Sequence, residues 1–262
     1  MRKSKKLSSE EIEEIGKWEM QKESTKNQPK DNQKIGIINI KCKSVTQKAV
    51  INSIEEKIIS IIIGPPGTGK TYLSCARALK FIKDEPGTYK KIVLIKSVNV
   101  PKDEEIGYLK GTLEEKMAGF MYPFISNFEK VIGKVAVENL KMNGVIEILP
   151  IKFALGATLD NSIIIVDEAQ QISKDNLRTL ITRIGQNSKM IFLGDIKQKS
   201  VNKKEKSALE ILIEYFTEIE EIGIVQLDKS DIVRHPIIQK IEVIFDKIEE
   251  SEKLNVNNNY QK

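Results

Sequence analysis

The chain has 262 residues, 40% of them hydrophobic and 30% charged, with a formal net charge of +5 and two cysteines. Cys42 and Cys75 lack metal-ligand spacing, so the sequence implies no disulfide or zinc framework, and no apolar run reaches membrane-spanning length. The start of the chain lacks the apolar region of a secretory signal. These properties predict a cytoplasmic globular protein with no membrane partner, and the mild positive charge permits a nucleic-acid partner without requiring one.

Three regions follow one another along the chain. Residues 1–34 are charged and poor in core-type side chains, which predicts a mobile N-terminal arm, although a docking or nucleic-acid-binding role stays open for it. Residues 35–250 are expected to form a single folded domain. Residues 251–262 are rich in asparagine and are predicted to be a disordered tail.

Apolar β-branched runs alternate with helical stretches through the central region. The predicted strands are 57–63, 91–96, 144–149, 162–166, 190–193 and 222–227. The predicted helices are 72–83, 113–131, 174–184, 205–220 and 236–249. Continuous β-branched runs are typical of strands buried on both faces of a parallel sheet. The alternation predicts an α/β fold with a doubly wound, mostly parallel sheet and a ligand site at the carboxyl ends of its strands.

The sequence GPPGTGKT at 64–71 is a complete phosphate loop between a predicted strand and a predicted helix. Its backbone N–H groups and the helix N-terminus suit phosphate oxygens. Lys70 reaches the β- and γ-phosphates in such loops, and the Thr71 hydroxyl ligates Mg²⁺. The expected contacts with ATP are Gly64, Pro65, Pro66, Gly67, Thr68, Gly69, Lys70, Thr71 and Tyr72.

Two further strands end in polar side chains. The strand at 162–166 leads into Asp167 and Glu168; we predict that Asp167 holds Mg²⁺ and that Glu168 polarises the attacking water. The strand at 190–193 leads into Gly-Asp-x-x-Gln, where Gln198 is predicted to sense the γ-phosphate. A polar turn and an incidental surface loop are the alternatives for these two motifs.

These motifs and their neighbours resemble the PhoH family of ATPases, in its short form without appended domains. The segments that carry the resemblance are GPPGTGKT at 64–71, KSVNVP at 96–101, IGYLKG at 106–111, LEEKM at 113–117, DEAQ at 167–170, LITRIG at 180–185, GD-x-x-Q at 194–198 and VRHPIIQ at 233–239. One departure is Lys96-Ser97, where the family has Arg-Pro; lysine keeps the charge but loses the planar fork of arginine.

The family is similar to the first motor domain of superfamily 1 helicases. The resemblance implies a RecA-like P-loop core and an ATPase coupled to single-stranded nucleic acid, RNA more than DNA, acting as a helicase or translocase. It also implies that Gln47 reads adenine, with a helix-capping turn as the alternative. A small-molecule kinase and a nucleotide-gated interaction module remain competing functions.

Basic side chains suggest an assembly and a nucleic-acid path. Because the chain has one motor core, Arg183 or Arg234 is expected to act in trans on a neighbour's nucleotide in a ring, a hexamer, unless both are structural. Nucleic acid is expected near Lys96, Lys102, Tyr108 and Lys110, where tyrosine would stack on a base; a solvated loop is the alternative.

Overall fold

The structure, a computed structural model, describes residues 35–36, 38–96, 113–198, 206–235, 237–238, 240–245, 247–248 and 251. Of residues 113–121 and 152 only the backbone is described. The predicted arm over 1–34 lies outside these residues, as does the predicted tail apart from Ser251.

A six-stranded sheet forms the centre of the described fold. Its strands are β1 (Ile59–Ile63), β2 (Lys91–Lys96), β3 (Ile146–Pro150), β4 (Ser162–Asp167), β5 (Lys189–Gly194) and β6 (Ile222–Gln226). They lie in the order β3-β2-β4-β5-β1-β6, and every neighbouring pair is parallel. All six predicted strands are therefore confirmed, together with the parallel α/β fold of a RecA-like P-loop core.

Helices cover both faces of the sheet. They are α1 (Val45–Glu56), α2 (Lys70–Asp84), α3 (Leu113–Ile132), α4 (Lys134–Met142), α5 (Ile151–Ala154), α6 (Lys174–Ile181) and α7 (Ala208–Tyr215). Short 3₁₀ turns lie at Ala169–Gln171, Ile196–Gln198 and Lys229–Asp231. The described positions between 237 and 251 are also helical.

Side chains of each strand alternate between two separate cores, which is the signature of a doubly wound sheet. In β4, Ile163 and Ile165 pack against α1 to α4, whereas Ile164 and Val166 pack against α5 to α7. Each such fully buried side chain contributes about 1.5–3 kcal/mol of transfer free energy. The two layers hold the strand ends, and hence the polar side chains that follow them, in fixed positions.

Three helices were not predicted, and two predicted ones are shorter than expected. The missed helices are α1, α4 and α5. Helix α7 begins after Ser207, whose side chain forms a reciprocal capping box with Glu210, and it ends at Tyr215 rather than at 220. The capping box thus sets the start of α7 at Ala208, whereas the apolar pattern alone placed it at 205.

The strand register brings the carboxyl ends of the central strands to one edge of the sheet. Ile63 pairs with Gly194 and with Gln226, and Lys96 pairs with Asp167. The phosphate loop and both acidic motifs therefore meet at this carboxyl edge. Among the described residues, no helix has the length and apolar character needed to cross a membrane.

Candidate functional site

The phosphate loop lies between β1 and α2, and neighbouring segments press closely on it. Gly67 has φ +88°, and a Cβ there would lie 2.9 Å from Cδ of Arg234. A Cβ on Gly64 would lie 2.7 Å from the carbonyl oxygen of Leu227. Both positions therefore require glycine, because the segment after β6 passes directly over the loop.

Lys70, the first residue of α2, folds its ammonium group back onto the loop. Its Nζ donates to the carbonyl oxygens of Gly64 at 2.6 Å and Pro65 at 2.9 Å. Burial lowers the pKa of Lys70, and the negative charges of Asp195, Asp167 and Glu168 oppose this shift. Among the described residues, the hydrogen-bond partners of this ammonium group are neutral carbonyls, and with carboxylates nearby it can exchange them for an anionic ligand.

Asp167 ends β4 at the same edge. Its burial and the neighbouring Glu168 raise the pKa of Asp167 to about 6, while Lys96 opposes the shift. Its carboxylate and the Thr71 hydroxyl, in the first turn of α2, are hard oxygen ligands of the kind that Mg²⁺ prefers. A divalent cation would neutralise this crowded pair of carboxylates, so the donor set fits the predicted Mg²⁺ site.

Glu168 adopts the left-handed conformation, with φ +53° and ψ +42°. Few residues other than glycine occupy this region, and such strain is concentrated at functional sites. The Glu168 carboxylate accepts a hydrogen bond from Nε2 of Gln170 at 2.7 Å. Gln170 in turn accepts one at Oε1 from the backbone N–H of Asp195 at 3.2 Å.

Gln170 was not among the predicted site residues, although the DEAQ motif contains it. Its side chain is only 1% exposed, so its amide lies inside the protein between the two acidic motifs. The pairing could not be found from the motif alone, because Asp195 belongs to another strand end.

The turn after β5 carries Asp195 and Gln198. One Asp195 carboxylate oxygen accepts from the N–H of Lys197 at 2.9 Å, and its carbonyl accepts from the N–H of Gln198 at 3.2 Å. These bonds form a compact turn whose Gln198 side chain is exposed at the carboxyl edge. The predicted sensor therefore lies on the same edge as the phosphate loop.

Gln47 is buried beneath the loop rather than exposed on its surface. Its Oε1 accepts from the N–H of Lys43 at 2.7 Å, and its Nε2 donates to the carbonyl of Thr68 at 3.0 Å. The cap of α1 is Ser44, whose hydroxyl accepts from the N–H of Gln47. Gln47 thus ties the start of α1 to the phosphate loop, and its reading of adenine stays a prediction.

The two candidate arginines lie at opposite ends of the sheet. Arg234 lies across Gly67 of its own loop, and the N–H of the preceding Val233 donates to the Gly67 carbonyl at 3.0 Å. Arg183 follows α6, where its carbonyl accepts from the N–H of Leu159 at 2.9 Å, before β4 begins. The six residues of β4 span about 20 Å, so Arg183 lies far from the nucleotide site of its own chain.

The sole histidine acts locally. Nδ1 of His235 accepts the backbone N–H of Ile237 at 3.2 Å, and the side chain is exposed. This contact lies at the start of the C-terminal helical segment.

The predicted nucleic-acid residues are described only in part. Lys96 ends β2 in register with Asp167, and it is the one member of the set among the described residues. Lys102, Tyr108 and Lys110 lie outside them. The lysine that replaces the family's arginine therefore lies beside the carboxylates, where its charge lowers the pKa of Asp167.

Comparison with known proteins gives consistent family matches. A family model described as "PhoH-like protein" matches residues 39–246. A "PhoH-like protein" of Bacillus subtilis is 36% identical over 209 residues, which are 80% of this chain and 65% of the relative. One from Synechocystis sp. is 31% identical over 210 residues, 80% of this chain and 63% of the relative. The chain thus spans a little under two thirds of the length of these curated relatives.

Two solved structures show more distant likenesses. Pif1 helicase from Candida albicans matches with a TM-score of 0.38 and 18% identity, over 72% of this chain and 40% of that one. The large terminase from a thermophilic bacteriophage matches with a TM-score of 0.46 and 12% identity, over 76% of this chain and 49% of that one. The family match, by contrast, includes Lys70, Glu168 and Arg234.

Proposed function

Because the chain belongs to the PhoH-like protein family, we propose that it hydrolyses ATP at the carboxyl edge of its sheet and couples this reaction to single-stranded nucleic acid, RNA first and DNA second. Family membership and the P-loop fold support nucleotide hydrolysis in general. The observation that carries hydrolysis at this edge is the meeting of Lys70, Asp167 and Glu168. The coupling to single-stranded nucleic acid is what the resemblance to helicase motor domains implies.

The residues of the loop bind and orient the phosphates in this proposal. Lys70 releases the carbonyls of Gly64 and Pro65 and pairs with the β- and γ-phosphates. The N–H groups at the start of α2 contribute further donors. Thr71 and Asp167 would hold Mg²⁺, which would neutralise the charge that develops on the phosphates.

Glu168 and Gln198 handle the attacking water. Glu168 has one carboxylate oxygen bonded to Gln170, which leaves the other available to accept a proton from water. Gln198, exposed on the turn after β5, is proposed to contact the γ-phosphate and report its presence. Water activation by these two groups favours hydrolysis over transfer to a small-molecule acceptor.

The two arginines are proposed to have different roles. Arg234 acts in cis, since it lies over the loop of its own chain and its charge contributes to lowering the pKa of Lys70. Arg183 is the candidate for action in trans, because it lies at the amino ends of the strands, far from the phosphate loop of its own chain. A ring of copies, a hexamer in this proposal, would bring it to a neighbour's nucleotide.

Exposed apolar side chains support an assembly of this kind. Ile237, Ile241, Ile244 and Ile248 are between 38% and 57% exposed. Their 4-3-4 spacing gives one apolar stripe along the helical segment that follows Arg234. A stripe of this kind is suited to packing against another chain.

The test is ATP turnover measured alone, with single-stranded RNA and with single-stranded DNA, with Glu168→Gln as the control. The proposal predicts turnover that RNA stimulates several-fold and that the control lacks. Turnover unaffected by either nucleic acid would contradict the coupling and favour a small-molecule substrate. Tight ATP binding without turnover would instead indicate a nucleotide-gated interaction module.

A further inference from the structure

Gln170 connects the two acidic motifs through its buried amide. It lies in the 3₁₀ turn Ala169–Gln171, directly after Glu168. Its Nε2 donates to Oε2 of Glu168 at 2.7 Å, and its Oε1 accepts the N–H of Asp195 at 3.2 Å. Both ends of the amide are therefore used within the candidate site, as a buried polar group requires.

The Gln170 amide packs closely against Gly194. A Cβ on Gly194 would lie 2.6 Å from Oε1 of Gln170 and 2.8 Å from Cδ2 of Leu209. Helix α7 holds the turn from the other side, since the N–H of Ala208 donates to the carbonyl of Ile172 at 2.9 Å. The absence of a side chain at Gly194 thus makes the space that the Gln170 amide fills.

The hydrogen bond from Gln170 holds the Glu168 carboxylate in place. The left-handed backbone of Glu168 turns the carboxylate toward the following turn, where the N–H of Gln171 also donates to the Glu168 carbonyl at 2.8 Å. Without the Gln170 amide, the carboxylate would be free to rotate away from the position in which it meets water. Small displacements of a base reduce turnover steeply, by about 10²-fold for an error of 1 Å.

We infer that Gln170 is a positioning residue that ties the Glu168 carboxylate to the Gly194–Asp195 peptide, so that the general base and the turn carrying Gln198 move as one unit. The inference rests on the proposed hydrolysis by Glu168. Gln170 touches no substrate in this account. It fixes one oxygen of the base and thereby directs the other toward the attacking water.

The test compares the same substitution at two adjacent positions. Gln170→Met keeps the length of the side chain and removes both hydrogen bonds. Gln171→Met is the matched control, because Gln171 is half-buried in the same turn and its amide makes neither contact. For each variant, kcat at saturating Mg·ATP, the Kd for a fluorescent ADP analogue and the melting temperature are measured on the full chain.

The expected result is a split between turnover and binding. Gln170→Met lowers kcat by about 10- to 100-fold, as the loss of a supporting hydrogen bond does at comparable sites, and leaves the Kd within about twofold. Gln171→Met changes neither. In a Glu168→Gln background, Gln170→Met lowers the residual rate no further, because residues that act as a unit are not additive.

Three results would overturn the inference. They are an unchanged kcat in folded Gln170→Met, a parallel loss of nucleotide binding and kcat, and a full additional loss in the Glu168→Gln background. If Gln170→Met does not fold, Gln170→Asn, which keeps the amide but withdraws it by one methylene, is read in the same way. A wild-type chain that binds ATP without hydrolysing it would contradict the proposed function instead.

Discussion

Two lysines at opposite ends of the sheet each donate to two backbone carbonyls, but their surroundings differ. Lys70 donates to two carbonyls of the phosphate loop. Lys189, at the start of β5, donates to the carbonyls of Glu55 at 2.9 Å and Lys57 at 2.7 Å, at the end of α1. Burial lowers the pKa of both lysines. Neither the contacts nor the pKa shift alone therefore distinguishes a functional lysine from a structural one.

The surroundings provide the distinction. Lys189 closes the C-terminus of a formed helix, whose carbonyls favour a cation, and it lies 5.5 Å from the ring of Phe81. Lys70 lies beside a glycine loop, the left-handed Glu168 and a carboxylate whose pKa is raised. A carboxylate with a raised pKa beside a cation indicates a ligand site, whereas a satisfied helix end indicates a structural contact.

Replacing each lysine by alanine tests this distinction and has the largest expected effect. Lys70→Ala should lower kcat by about 10³-fold, because it removes the cation that meets the transferring phosphate, with little change in melting temperature. Lys189→Ala should lower the free energy of unfolding by about 1–2 kcal/mol and leave kcat unchanged. Turnover assays and thermal melts measure both effects. Equal losses of kcat would remove the distinction between the two ends.

The two arginines extend the comparison from one chain to an assembly. Arg234→Ala and Arg183→Ala should each lower kcat by about 10²-fold. Mixing Arg183→Ala with Glu168→Gln should restore turnover, since the intact base of one chain meets the intact Arg183 of its neighbour. Mixing Arg234→Ala with Glu168→Gln should restore none, because Arg234 serves its own loop. Recovery in both mixtures would refute the cis assignment, and recovery in neither would make Arg183 structural.

Replacing a glycine by alanine tests the two ends of the sheet separately, because Gly67 lies at the carboxyl ends of the strands and Gly185 at their amino ends. Gly67→Ala forces a side chain onto φ +88° and against Arg234, and it should weaken nucleotide affinity by about tenfold through a distorted loop. Gly185→Ala forces a Cβ against Oδ1 of Asp160, and that oxygen already accepts the N–H of Gln186 at 2.8 Å. Overpacking there should lower the free energy of unfolding by about 1–3 kcal/mol.

Titration of a fluorescent ADP analogue and urea unfolding separate these outcomes. Gly185→Ala should bind the analogue with wild-type affinity as long as it is folded. A loss of affinity in folded Gly185→Ala, or unchanged affinity in Gly67→Ala, would contradict the assignment of nucleotide binding to the carboxyl ends of the strands.

The smallest expected effect is the pH dependence that Asp167 contributes. Burial and Glu168 raise its pKa to about 6, above the value of about 3.9 in an unfolded chain. The folded state therefore holds this proton more tightly, so Asp167 favours folding below pH of about 4, and that contribution is lost as the pH rises through 6.

Asp167→Asn should consequently stabilise the nucleotide-free protein at pH 7. The expected gain is about 1–2 kcal/mol, since partial exposure of the carboxylate reduces the effect of the full shift. Melting temperatures measured from pH 4.5 to 8 should show a gain that grows with pH. A gain of the same size at every pH would contradict the raised pKa.

The strands and the local motifs were predictable because each depends on adjacent residues. Unbroken β-branched runs such as Ile163–Val166 favour a buried strand, and the order of residues around Lys70 is itself the phosphate loop. The family could be identified for the same reason. Helix α1 was missed because Gln47 and Ser53 interrupt its apolar face; both are buried, and the Ser53 hydroxyl is bonded to Ser60 at 3.0 Å.

Contacts between distant segments were not predictable. The place of Arg183 is an exception, because a helix that connects two parallel strands returns the chain to the amino ends of those strands. Nothing in the VRHP sequence indicates that Arg234 crosses Gly67; that contact follows from the strand order, which sets β6 beside β1. The role of Gln170 depends in the same way on β5 lying beside β4.

The most direct test of the account is a single-turnover measurement on the wild type and on Glu168→Gln. Both proteins are loaded with radiolabelled ATP and Mg²⁺ to the same measured occupancy, and released phosphate is followed with time. If Glu168 is the general base, the two proteins bind ATP equally, the wild type releases phosphate, and the rate in Glu168→Gln is lower by about 10²-fold or more. Equal rates in the two proteins would show that hydrolysis does not depend on Glu168 and would contradict the assignment of the carboxyl edge as the hydrolytic site.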